Sequence, residues 1–276
     1  MSAIRFAEYY HSLASGMQLY QQTNRHLIEL AELRPGMAVL DLACGTGLTS
    51  EAALAQVPDG LRLYLLDKSA DMVAEAKRHI GDRATAYYVA DALSAASLLP
   101  EKVDRVLCNM SFWQFANPQA VLQGLRSVVK PTGFVLFNLL GTYFNAERSV
   151  SPQWAFMQAL FQQGQVASPP QMVERMPNQR SIEGTLNETG FKPAHFEIQT
   201  IASALPDTEA GGELYNYLRL YPVPGLKEPA TTPLLLRELA SAIERYSPKW
   251  KVAYFAGQPA LSPEEAIQLR LGPKQP

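Results

Sequence analysis

Between Ala38 and Leu140 five short apolar runs alternate with helix-length stretches, and a parallel sheet covered by helices on both faces is the architecture that absorbs such a rhythm. The runs are AVLDLA, RLYLLD, AYYVAD, VDRVLCNM and GFVLFNLL. All are of strand length and rich in Val, Leu, Phe and Tyr, as strands buried on both faces should be. Between the second and third runs, Met72, Val73, Ala76 and Ile80 recur at helical spacing, with Ser69 to cap the start and Gly81 to end it. A second crossover helix is expected over Pro118 to Val129, where Val121, Leu122, Leu125 and Val128 line one face and Lys130-Pro131-Thr132-Gly133 reads as the stop.

A chain of 276 residues, 47% hydrophobic and 18% charged, can bury one principal core and is not disordered. Lys plus Arg number 24 and Asp plus Glu 26, for a net charge of -2. That balance supplies no basic field for phosphate backbones or anionic lipid, so neither nucleic acid nor membrane is expected as a partner. Cys44 and Cys108 are too few for a disulfide framework or a thiolate zinc site. Arg5 and Glu8 interrupt the N-terminal MSAIRFAEYYHS, and no apolar run approaches the roughly 18 to 20 residues of a membrane span, so a cytoplasmic protein is expected.

Outside the alternating region, Tyr20 to Leu33 reads as a helix ending at Arg34-Pro35-Gly36. Past Leu140 a polar, aromatic and Pro-containing stretch runs to about Asn178, before a helix at Ser181 to Thr189 and the strand-like FKPAHFEIQT. A further helical insertion holds GGELYNYLRLY and TPLLLRELASAIERY around the Pro-rich YPVPGLKEPA. The strand-like KWKVAYFAGQ follows, and the final GPKQP reads as a frayed tail.

The chemistry gathers where the strands end. The first strand runs into Asp41-Leu42-Ala43-Cys44-Gly45-Thr46-Gly47 and then a helix from about Leu48, so that small residues admit a ligand close to the backbone. Asp67 lies twenty positions after Gly47 at the end of the second strand, where a carboxylate can accept both hydroxyls of a ribose. Asp91 ends the third strand and Asn109 the fourth, so four adjacent strands deliver polar groups to one edge. Each acid alone is better read as a cap or loop residue; jointly they favour a ligand. A nicotinamide fold would carry a third glycine where Ser50 stands, and gives no reason for Asp41.

On these residues the chain resembles the class I S-adenosylmethionine-dependent methyltransferases, whose first motif is an acid followed by a glycine-rich turn, here DLACGTG with Ala43 in place of the usual first glycine. The resemblance covers Ala38 to Leu140 and, more weakly, the last two strands. It implies a Rossmann-like α/β fold with seven strands in the order 3-2-1-4-5-7-6, strand 7 antiparallel, and helical lid insertions. It implies S-adenosylmethionine as cofactor and S-adenosylhomocysteine as product. Asp67 would hold the ribose, Lys68 and Met72 would line the adenine, and Asp91 with Ala92 would bind the adenine amino group. Asn109, Met110 and Ser111 would face the methionine part, Gly45 and Gly47 would pack on the methionine and ribose portions, and Asp41 would order the loop or reach the amino group. The mapping divides the chain into an N-terminal helical cover (1–37), a cofactor-binding core (38–142), a lid (143–179), a core helix and strand (180–201), a second lid (202–247), the last core strand (248–258) and a tail (259–276).

Methyl transfer from a sulfonium is a direct displacement, so alignment and exclusion of water outweigh any obligatory side chain, although an oxygen or carbon nucleophile gains from a base. His11 is the candidate base, since an N-terminal aromatic segment folds across the cofactor in related enzymes, with Tyr9 and Tyr10 beside the substrate; His26, His79 and His195 read as structural or solvated. Trp113 and Phe115 follow the fourth strand and, with Tyr143 and Tyr217, form a candidate wall for a small apolar or aromatic acceptor methylated at O, N or C. No carboxylate cluster suggests a metal, and a homodimer is compatible with the sequence. The alternatives are an NAD(P)-dependent oxidoreductase on a related dinucleotide fold and a non-methylating S-adenosylmethionine-binding protein.

Overall fold

The computed structural model describes residues 3–141, 177–202 and 249–271. The apolar runs become strands β1 (Ala38–Leu42), β2 (Arg62–Asp67), β3 (Ala86–Val89), β4 (Val103–Cys108) and β5 (Val129–Leu140), followed by β6 (Phe191–Ala202) and β7 (Lys249–Pro259). They form one mixed seven-stranded sheet in the order β3-β2-β1-β4-β5-β7-β6, the order the sequence leads one to expect. β1 lies parallel between β2 and β4, with Leu40 opposite Tyr64 on one side and Val106 on the other. Each parallel pair needs a crossover of a dozen or more residues, and the helices supply it. The helices are α1 (Ala3–Gly16), α2 (Gln18–Ala31), α3 (Leu48–Gln56), α4 (Ala70–Ile80), α5 (Ala95–Leu98), α6 (Pro118–Val128), α7 (Gln179–Glu188) and α8 (Pro263–Leu271).

Burial follows position in the sheet. All five residues of β1 are buried. β3 holds three half-buried residues and an exposed Val89, unlike the expectation that all five runs are covered on both faces. The reason is topological: β3 is the edge strand, so it has a partner on one side only.

The α4 cap follows the sequence reading, the Ser69 hydroxyl accepting from Met72 N–H and Gly81 closing the helix. The helix does stop before Lys130–Gly133, but these residues are strand rather than a turn. Helix α6 ends at Val128 and the chain enters β5 at once, with these four residues inside the strand. The ladder absorbs them as a bulge: Val103 pairs with Val129, whereas Arg105 pairs with Phe134. A Cβ on Gly133 would lie 2.8 Å from Asp104 O, so the backbones approach too closely for a side chain. Helix α8 occupies part of the segment expected to be tail; Arg126 on α6 donates to Ala260 O just ahead of it.

By their contacts the residues divide into two units, one of 24–138, 179–197 and 254–276 and the other of 1–23, 139–178 and 198–253. In the second, the Tyr10 hydroxyl donates to that of Tyr20 at 3.1 Å, and Trp250 is fully buried. The expected lids, 143–179 and 202–247, fall almost wholly outside the described residues. Among the described residues no helix is long and apolar enough to cross a membrane.

Candidate functional site

The carboxyl ends of β1, β2 and β4 lie side by side in the first unit. After β1 the chain bends through Ala43 (φ 55°), Gly45 (φ 53°) and Gly47 (φ 87°), a run of left-handed backbone available to glycine at little cost and to alanine at about 1 kcal/mol. The bend is fastened to β2, since Cys44 N–H donates to Leu66 O at 3.0 Å, and it is closed on itself by Gly47 N–H to Cys44 O at 2.9 Å. The two glycines serve different ends. A Cβ on Gly47 would lie 2.8 Å from Ile80 Cδ1 and 3.2 Å from Ala76 Cβ, so this glycine lets α3 start against α4. A Cβ on Gly45 would meet nothing within 4 Å. Open space in front of Gly45 is what a ligand needs.

Asp67 ends β2 and turns its carboxylate toward that bend. Oδ2 accepts from Gly45 N–H and Oδ1 from Ser69 N–H, both at 2.9 Å. The side chain is half-buried, and each oxygen retains a lone pair beyond its one backbone bond. A diol offers two hydroxyl donors, which such a pre-oriented carboxylate can accept together.

Asp41 is different. It is buried on β1, and its Oδ2 accepts from the Ser50 hydroxyl at 2.6 Å. Burial pushes its carboxyl up to about 7, helped by the charge of Asp67 and opposed by the bonds from Ser50. Through this bond Asp41 ties the strand to the first turn of α3. Ser50, noted in the sequence only for not being glycine, is therefore its partner.

Asp91 caps the short turn after β3, its Oδ1 accepting from Leu93 N–H at 2.9 Å; it is exposed, and Ala92 beside it is half-buried. Lys68 is exposed, and Met72 half-buried in the first turn of α4. At the end of β4, Asn109 is half-buried, Met110 is buried in left-handed backbone (φ 55°), and Ser111 is half-buried. Trp113 donates its indole N–H to Met110 O at 3.0 Å, while Phe115 packs edge-on against Phe112 with centroids 5.7 Å apart. Both Cys44 and Cys108 are buried, and burial pushes their thiols up, so neither offers a thiolate at neutral pH.

Asp41, Ala43, Gly45, Gly47, Asp67, Lys68, Asp91, Ala92, Asn109, Met110 and Ser111 thus all stand at strand ends or the turns that follow them, and Met72 lies in the first turn of α4. Tyr9, Tyr10 and His11 lie on α1, in the other unit, and Tyr143 and Tyr217 lie outside the described residues. Two residues were not anticipated. Asn24 on α2 accepts at Oδ1 from Asn109 Nδ2 and from the Thr49 hydroxyl, both at 2.7 Å, and Asn138 on β5 donates to Asn109 Oδ1 at 2.5 Å. Asn138 had a visible signal, a lone amide inside the apolar run GFVLFNLL; Asn24 had none.

Residues 39–133 match the family described as methyltransferase domain. A malonyl-(acyl-carrier protein) O-methyltransferase 2 of Ilyobacter polytropus is 30% identical over 41% of this chain and 43% of its own length. The chain spans about half the length of the curated relatives it matches first. Among solved structures, a phosphoethanolamine N-methyltransferase 2 of Haemonchus contortus in complex with S-adenosyl-L-methionine has a TM-score of 0.57 at 18% identity, covering 92% of this chain and 57% of that one. The cyclase SpnF has a TM-score of 0.56 at 17% identity, covering 88% and 82%. At such identities these structures speak for the fold alone. The strand order, the acid and glycine-rich turn after β1 and the match over 39–133 thus agree on a methyltransferase domain.

Proposed function

We propose that the chain transfers a methyl group from S-adenosylmethionine, by direct displacement, to O, N or C of a small apolar or aromatic metabolite. The observation that carries this reading is the Asp67 carboxylate, held by Gly45 and Ser69 N–H groups beside open space at the bend. The cofactor supplies a methyl group already activated on a sulfonium. Asp67 would bind and orient the ribose, and Asp91 with Ala92 would meet the adenine at the sheet edge. The Asn109–Ser111 turn would face the methionine part, leaving the reacting centre toward Trp113 and Phe115. Their rings would exclude water and offer π-faces to a cation, both of which favour displacement. His11, with Tyr9 and Tyr10, is the residue offered as base for an oxygen or carbon acceptor.

The names of the two methyltransferases above specify an oxygen and a nitrogen acceptor, and the cyclase shares the fold, so fold does not select the acceptor atom. Calorimetry with S-adenosylmethionine and S-adenosylhomocysteine, then methyl-labelled cofactor against phenols, amines, carboxylic acids and acidic carbons, tests both halves. Binding with labelled product from one class is expected. No binding at millimolar concentration overturns the reading; tight binding without transfer to any class points instead to a non-methylating cofactor-binding protein.

A further inference from the structure

The buried amides around the end of β4 form a chain whose direction is set by one backbone group. Met110 N–H donates to Asn138 Oδ1 at 2.6 Å. A backbone N–H can only donate, so the Asn138 oxygen must face it and the Asn138 nitrogen must point the other way. That nitrogen donates to Asn109 Oδ1, which obliges the Asn109 nitrogen to turn toward Asn24, whose Oδ1 accepts it. The Thr49 hydroxyl closes the run by donating to the same Asn24 oxygen. Asn138 is fully buried and Asn24 nearly so. Beyond Asn138 the ladder is backed by the buried Tyr254 hydroxyl, against whose ring His26 packs edge-on at 4.7 Å.

Three amides from α2, the end of β4 and β5 thus agree on a single orientation, and reversing any one places oxygen against oxygen or nitrogen against nitrogen. The rung they converge on is the turn in which Met110 holds a left-handed backbone that its side chain disfavours. We propose that Asn138 and Asn24 are positioning residues: through this one-way ladder they fix the amide orientation of Asn109 and the left-handed backbone of Met110, and thereby the part of the site that receives the amino-acid end of the cofactor. The inference rests on the methyltransferase reading and deepens it, because it divides recognition between a nucleoside half set by Asp67 and an amino-acid half set by the ladder.

The test compares two probes on the full chain, S-adenosylhomocysteine, which carries the amino-acid end, and 5′-methylthioadenosine, which lacks it. In Asn138→Ala, affinity for S-adenosylhomocysteine falls about tenfold, while affinity for methylthioadenosine stays within twofold of the parent protein. Asn24→Ala, at the other end of the ladder and on a helix that alanine suits, shows the same split and serves if the first variant does not fold. Equal affinity for S-adenosylhomocysteine in a folded variant overturns the ladder. So does an equal loss for both probes, which is what mere loosening of the fold would produce. Failure of the parent protein to bind either probe is a separate result: it removes the methyltransferase reading and the ladder's role with it.

Discussion

The middle of the sheet and its β3 edge carry the same residue type at strand ends and use it differently. Asp41 at β1 is buried and tied to Ser50; Asp67 at β2 is half-buried and held by two backbone N–H groups; Asp91 at β3 is exposed and caps a turn through one oxygen. Across two strand spacings, roughly 10 Å, an aspartate passes from structural element to candidate ligand grip to loosely held rim. The gradient comes from strand order. The central strand is covered by neighbours on both sides, and burial disfavours a charged carboxylate there; the edge strand leaves its terminal acid in water.

The largest expected effect separates Asp41 from the other two. Its folded carboxyl titrates at about 7 against an ordinary value of 3.8, chiefly because of burial. The folded protein therefore keeps a proton that the unfolded chain releases between those values. Stability is greatest below the lower value and falls as pH rises through the window. Between pH 5 and pH 8 the loss from this group is about 3 kcal/mol. Asp41→Asn retains an oxygen for the Ser50 hydroxyl and removes the titration, so its denaturation midpoint should rise relative to the parent protein as pH increases. Parallel pH profiles for the two proteins would return Asp41 to the class of solvated strand-end acids and erase the contrast.

Next in size is Asp67→Ala. Loss of a charge-assisted pair of hydrogen bonds to a ribose should weaken S-adenosylhomocysteine binding by about 2 kcal/mol, roughly thirtyfold in Kd by calorimetry. Because Gly45 and Ser69 also lose their acceptor, a thermal melt should accompany the titration and show a folded variant. Unchanged affinity would mean that the gradient is one of burial only, with no ligand grip in its middle.

The positions of these acids were legible because strand ends follow from local pattern: an apolar run, then an acid, then a cap. The sheet order followed from a family resemblance carried by DLACGTG rather than from any count of apolar residues. What pattern could not supply is pairing across distance. Asn24 and Asn109 are 85 residues apart and Asn109 and Asn138 are 29 apart, so their mutual orientation appears only when three elements meet. Lys130–Gly133 misled for a related reason. Lys-Pro-Thr-Gly has the composition of a turn, yet tertiary contact between Gly133 and Asp104 draws it into β5 as a bulge. The exposure of β3 was likewise invisible locally, since AYYVAD is as apolar as its neighbours and only its place at the edge uncovers it.

The smallest effect tests the edge itself. Asp91 already spends Oδ1 on Leu93 N–H, and water competes for any ligand amino group that reaches Oδ2. A hydrogen bond for which water competes contributes about 1 kcal/mol or less, so Asp91→Ala should weaken S-adenosylhomocysteine binding about fivefold or less. Asp91→Asn separates the two uses of the side chain, because its amide oxygen can still cap Leu93 N–H while its nitrogen faces a ligand amino group donor to donor. Binding restored by asparagine would assign the loss to the cap. Binding as weak as in the alanine variant assigns it to the adenine, and a loss equal to that of Asp67→Ala would show that the edge strand grips as firmly as the middle, contrary to the exposure that its position imposes.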